Sequence, residues 1–205
     1  DTCTASSDGS PSVSVAAGTF SDALSNTNSV SNTYTWTYDS GAPTMTITSA
    51  TVSSGATTGT AAIVLVYTSS EATTDFVEAD ITETGCSTGT FTATSSTVYG
   101  STCTASSDGT PTVAVAAGAF NDAASNGNTA SNTYTWTYDT TGPTMAITSS
   151  SVTSGATTGT EAVALTFTSN EATTDFIAGD ITASSCALSS LTGSSSTVYT
   201  ATCTP

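Results

Sequence analysis

The chain has 205 residues with no lysine, arginine or histidine, and its 16 acidic residues set a formal net charge of −16. With nothing to neutralise phosphates, nucleic-acid binding and attraction to anionic membranes are excluded, as are Ser-His-Asp triads, histidine-ligated metals, lysine Schiff bases and P-loops. Charged residues are only 8% and hydrophobic residues 37%, so Ser and Thr carry the polarity, and the apolar content suffices for thin cores in domains of about 100 residues.

The first elements return later in the chain. "TCTASSDG" starts at Thr2 and Thr102, "SNTYTWTYD" at Ser31 and Ser131, "SGATTGT" at Ser54 and Ser154, and "EATTDF" at Glu71 and Glu171, a constant offset of 100 residues. A solenoid repeat runs ~20–50 residues, so this period is a whole small domain. Gly and Pro in "YDSGAPTMTIT" (from Tyr38) and "YDTTGPTMAIT" (from Tyr138) mark linkers. The expected organisation is the C-terminal part of a repeat at 1–40, a complete repeat at 41–140 and the N-terminal part of the next at 141–205. Two readings of the ends stay open. The chain is a window on a longer array, or a subunit whose tail completes the head of another copy.

Within the complete repeat the apolar residues alternate, which predicts strands. The first spans 44–48, with Met45 and Ile47 on one face. The second, 61–67, is apolar on both faces, and its other copy orients it. Ile63, Leu65 and Tyr67 become Val163, Leu165 and Phe167, whereas Val64 and Val66 become Ala164 and Thr166, so the first set faces the core. Strands follow near 80–86, around Phe91, over 97–105, around Val113 and Val115, and over 132–139, where Tyr134, Trp136 and Tyr138 alternate with threonines. The expected head at 141–205 carries the first five of these strands. No helix is expected. The fold class is all-β: tandem Ig-like, seven-stranded antiparallel β-sandwich domains in a linear array.

The runs "SNEATTDFIAGDIT", "STVYTATCTP", "VAVAAGAFNDAASNGNTASN" and "TYTWTYDTTGPTMAIT" resemble bacterial Ig-like repeats, the extender modules of very large cell-surface adhesins. The resemblance covers essentially the whole chain. It implies an extracellular rod at the cell surface, often stiffened by calcium between domains. The cysteines depart from the pattern, since such adhesins usually lack them.

Cys86 and Cys103 are 17 positions apart, as are Cys186 and Cys203. Zinc sites use closer pairs and usually His, and a buried free thiol is the plain alternative. Successive strands of a sandwich reverse direction, so Cys86 at the end of the third strand and Cys103 near the end of the fifth reach the same pole. Disulfides Cys86–Cys103 and Cys186–Cys203 are therefore expected, with Cys3 pairing to an upstream repeat, in an oxidising compartment.

No catalytic residues are expected. Glu78 and Glu83 could serve as a carboxylate pair, but they become Ala178 and Ala183 in the second copy. A solvated acidic surface accounts for the remaining acids. The functional reading places calcium at the junctions: Asp39, Glu71, Asp75 and Asp122 at one, and Asp139, Glu171 and Asp175 at the next, because hard cations prefer oxygen ligands. No N-linked sequon occurs, while dense Ser and Thr admit O-linked sugar. The expected function is structural, the shaft or stalk of an extracellular filament or surface appendage, with neighbouring repeats or head-to-tail copies as partners. The alternative is an adhesin domain that binds carbohydrate or a partner cell. Nucleic acid and membrane insertion are not expected.

Overall fold

The computed structural model describes residues 2–73 and 75–205. They divide into two compact units, residues 1–140 and 141–205. The first unit opens with a short hairpin, β1 (Ser12–Val13) against β2 (Tyr34–Thr35). The complete repeat follows: β3 (Met45–Thr48), β4 (Thr57–Thr58), β5 (Ala62–Ser69), β6 (Ile81–Thr84), β7 (Cys86–Ala93), β8 (Val98–Ala105), β9 (Thr112–Val115), β10 (Tyr134–Thr135) and β11 (Thr137–Tyr138). A single 3-10 turn at Glu78–Asp80 leads into β6.

One sheet has the order β3-β5-β8-β7 and the other β10-β9-β6, the four-plus-three division of an Ig-like sandwich. The pleat sends alternate side chains inward. Met45, Ile47, Ile63, Leu65, Tyr67 and Cys103 from the first sheet meet Ile81, Val113, Val115, Tyr134 and Trp136 from the second in one buried cluster. Val64 is 52% exposed, so the register inferred from comparing the copies holds. Phe76 joins the layers as a hub, with ring centroids 4.9 Å from Tyr99, 5.2 Å from Phe120 and 5.6 Å from Phe91.

Three sequence expectations need correction. The last strand is not continuous over 132–139. It breaks at Trp136, where β10 leaves its antiparallel pairing with β9 and β11 pairs parallel with β4. Cys86 does not end the third strand but opens β7. The bridge Cys86–Cys103 therefore links adjacent strands of one sheet, with Cα atoms 5.8 Å apart. In the second unit, the counterpart of β6 is missing.

That unit contains β12 (Met145–Thr148), β13 (Val163–Ser169), β14 (Ala187–Leu188), β15 (Thr192–Gly193) and β16 (Val198–Thr204), all in one sheet, and the bridge Cys186–Cys203. Its buried cluster is small: Phe167, Tyr199 and Ala201, with Leu165, Phe176, Ile181, Leu188 and Leu191 partly buried around them. Cys3 is exposed and unbridged.

Candidate functional site

The chemistry-bearing side chains of the first unit gather at the linker around residues 39–41. The segment is fastened from the preceding turn. Gly9 and Tyr38 exchange two backbone hydrogen bonds of 2.9 Å, which carries the pairing to the last residue before Asp39. Asp8 Oδ1 then accepts from the Ser40 amide at 3.0 Å and the Ser40 hydroxyl at 2.8 Å. The arrangement recurs one period later: Gly109 and Tyr138 exchange the same pair of bonds, and Asp108 Oδ1 accepts from the Thr140 amide at 3.0 Å and hydroxyl at 2.8 Å. In sequence, "SSDG" is a turn signal with no stated partner. The recurring hydroxyl residue at 40 and 140 is the feature that could have revealed its role.

On the other side of the linker, carboxylate oxygens of Asp39, Glu71 and Asp122 all lie within 4.8 Å of one another, each side chain half-buried. Three elements deliver them. Asp39 follows the linker clamp, Glu71 follows β5, and Asp122 sits in the loop between β9 and β10. That loop is shaped by its own polar residues. Asp122 Oδ1 accepts from the amides of Ala124 (2.8 Å) and Asn126 (2.9 Å), and Asp122 Oδ2 from Asn126 Nδ2 (2.9 Å). Asn126 Nδ2 also donates to the Asp39 carbonyl at 3.1 Å, tying the loop to the linker. Gly41 donates its amide to Asp39 Oδ1 at 3.0 Å. A Cβ at Gly41 would stand 3.3 Å from Asp39 Oδ1 and 3.6 Å from Glu71 Oε1, so glycine lets the backbone pass close to both acids.

Asp75 is not part of this cluster. Its carboxylate accepts from the Thr73 hydroxyl at 2.7 Å, and from the Asn121 amide and Asn121 Nδ2 at 3.0 Å each, so it holds the loop that carries Asp122. Of the other expected ligands, Asp139 belongs to the first unit and Glu171 and Asp175 to the second.

The protonation behaviour follows the geometry. Desolvation, then the charges of Asp39, Asp122 and Asp8, pushes the Glu71 carboxyl above its ordinary range. For Asp75, desolvation acts upward too, but the hydrogen bonds from Thr73 and Asn121 together outweigh it and hold the group low. Asp122 is likewise held low, the N–H groups of Asn126 and Ala124 outweighing desolvation. The cluster thus contains one carboxylate whose ionisation the fold opposes, in a chain with no cationic side chain to relieve it. All three side chains offer hard oxygen donors, which fits a calcium-type ion with water filling the remaining positions.

Comparison with known proteins gives one result. Residues 39–138 and 139–205 each match the family described as "Bacterial Ig-like domain". No curated protein matches the chain, and no solved structure does. Among the described residues, no helix is long and apolar enough to cross a membrane.

Proposed function

The chain belongs to the bacterial Ig-like domain family, and from that premise we propose that it works mechanically, as a repeat segment in the shaft or stalk of an extracellular filament or surface appendage. Tandem bacterial Ig-like domains are repeats of surface proteins, and the family is typically non-catalytic. Disulfides such as Cys86–Cys103 are typical of extracellular proteins. The observation that carries the mechanical reading is the clamp on the linker. Asp8 on Ser40 and Asp108 on Thr140 have the same two distances one period apart. A free tether needs no such device, whereas a load-bearing array needs each junction set the same way.

The acidic cluster extends this reading. A calcium ion held by Asp39, Glu71 and Asp122 would supply the positive charge the chain lacks and join the linker to the β5–β6 and β9–β10 connections. Binding only the folded junction would raise its stability by mass action. The reading is tested by imaging the native assembly and by probing the chain against cells and glycans. Beads at a regular pitch along a fibre or stalk, with no glycan or cell binding by the repeats, are expected. Saturable binding of a sugar or a cell surface by the 205-residue chain would overturn the mechanical reading in favour of an adhesin domain.

A further inference from the structure

Asn126 and Gly127 are adjacent in the loop that carries Asp122, and no other asparagine of the chain precedes a glycine. An asparagine amide is thermally labile, and the backbone nitrogen of the next residue is the nucleophile that attacks it. Attack needs a following residue that does not crowd ring closure and a following amide that no hydrogen bond occupies. Gly127 meets both conditions. It is exposed and has no side chain. It forms a bridge with Asn121, but its neighbours make the hydrogen bonds there: the Asp122 amide donates to the Asn126 carbonyl at 3.2 Å, and the Asn128 amide to the Phe120 carbonyl at 2.9 Å. The Gly127 amide itself has no acceptor among the described residues.

Other positions in the chain lack one condition or the other. The Asp-Gly pairs at 8–9 and 108–109 have the small residue, but the amides of Gly9 and Gly109 donate to the carbonyls of Tyr38 and Tyr138 at 2.9 Å each, so the nucleophile is occupied. Asn26 is held as Asn126 is. The amide of each donates to Oδ1 of Asp22 or Asp122 at 2.9 Å, and Nδ2 to Oδ2 of the same residue at 2.9 Å. Ser25 and Ser125 before them share a positive φ, 68° and 71°. Asn26, however, is followed by Thr27, whose branched side chain crowds the ring closure. Asn26 is exposed and Asn126 half-buried, so exposure alone would single out Asn26 instead.

We propose that Asn126 is a site of spontaneous deamidation, which turns its amide into a carboxylate and releases the β9–β10 loop from the linker. The Gly127 nitrogen gives its proton to solvent base and bonds to Asn126 Cγ. The Cγ–Nδ2 bond breaks, and ammonia leaves with that electron pair and a proton from water. Water then opens the five-membered imide, at Cγ to give aspartate or at the Asn126 main-chain carbonyl to give isoaspartate. In the closed loop Asn126 Nδ2 donates to Asp122 Oδ2 at 2.9 Å and to the Asp39 carbonyl at 3.1 Å, so the reaction runs while the loop is open. Either product replaces that donor with a negatively charged acceptor, set against Asp122 in the cluster it shares with Asp39 and Glu71, in a chain with no cationic side chain. Reclosing is then disfavoured, and the change is one-way. The chemistry requires no ion in the cluster, so this inference and the calcium reading can fail separately.

The test incubates the 205-residue chain at mildly alkaline pH beside a free peptide of residues 121–131, and follows both by peptide mass mapping until the peptide has converted at Asn126. The chain should gain the amide-to-acid mass at Asn126 and keep Asn26, with isoaspartate among the products. Gly127→Ala should suppress the gain. Its Cβ would stand 3.5 Å from Gly118 Cα and 3.7 Å from Asn121 Oδ1, ordinary contact distances, so the fold should persist. Asn126→Asp, which stands for the product, should lower the melting temperature at neutral pH, and much less where carboxylates are protonated. An intact Asn126 after the peptide has converted would overturn the proposal. Equal conversion of Asn26, or an Asn126→Asp chain that melts as the parent does at neutral pH, would overturn it too.

Discussion

Residues 57–58 and 157–158 are the same Thr-Thr dipeptide, yet the first forms β4 and the second is not a strand. Residues 81–84 form β6, while 181–184, which keep Ile and Thr at their first two positions, are irregular. The eight-residue β7 shrinks to the two short strands β14 and β15. The residues that match β4 and β6 form no strand, and the partners of β4 and β6, β11 and β9, have no counterpart within 141–205, while β12, β13 and β16 keep the pairings of β3, β5 and β8. Local preference therefore supplies a strand candidate, and the partner across the sheet or core decides whether it forms.

The sharpest way to break this comparison is to delete one side chain in both contexts. Trp136 is fully buried, with its indole N–H lacking a partner, and Trp136→Ala should cost the complete repeat about 3–5 kcal/mol in denaturant unfolding. Trp36→Ala, at the equivalent half-buried position, should change that transition by no more than about 0.5 kcal/mol. Equal losses would mean that the two contexts do not differ as described.

Removing the bridge by replacing Cys86 and Cys103 with Ser should cost roughly 3 kcal/mol, since a loop of this length is released in the unfolded chain. The midpoint of denaturant unfolding reads it directly.

A smaller effect comes from a pair the two copies treat differently. The Tyr67 hydroxyl and Ser101 Oγ share a buried hydrogen bond of 2.9 Å, and the second copy replaces both residues together, as Phe167 and Ala201. Ser101→Ala alone strands a buried hydroxyl and should cost about 1–3 kcal/mol, whereas adding Tyr67→Phe should recover most of the loss. Additive losses in the double variant would refute the pairing.

The smallest effect is electrostatic. The Glu71 carboxyl is raised in the folded state, so its contribution to stability is fully present below its unfolded pKa, about 4.3, and is lost as pH rises through the raised value. In chelator, Glu71→Gln should therefore be slightly stabilising near neutral pH and neutral in effect at acidic pH. Added calcium should reverse the sign by stabilising only the parent chain. Melting curves that never respond to calcium would leave the cluster a plain acidic surface.

Much of the fold was legible because the chain is its own alignment. Substituting Ala164 and Thr166 for Val64 and Val66 identified the outward face of β5 when apolar periodicity alone could not. The turn-bounded alternation around Val113, Val115 and Trp136 marked two further strands. The parallel pairing of β4 with β11 was not legible, because a two-residue strand leaves no period to read and its partner lies some 80 residues away in sequence. The break at Trp136 was hidden for a related reason. Alternation continues through it, and only the hydrogen-bond partner changes. At the site, acidity drew attention to Asp39, Glu71 and Asp122, but Asp75 carries the same charge, and only its contacts with Thr73 and Asn121 separate it from them. Asp8 and Asp108 looked like ordinary turn residues because their partners lie 32 residues downstream.

Hydrogen exchange at residues 81–84 and 181–184 tests most directly the claim that a partner across the sandwich creates these strands. In the 205-residue chain, residues 81–84 should be protected and 181–184 should exchange almost as an unfolded segment does. Equal protection of the two segments would contradict the account.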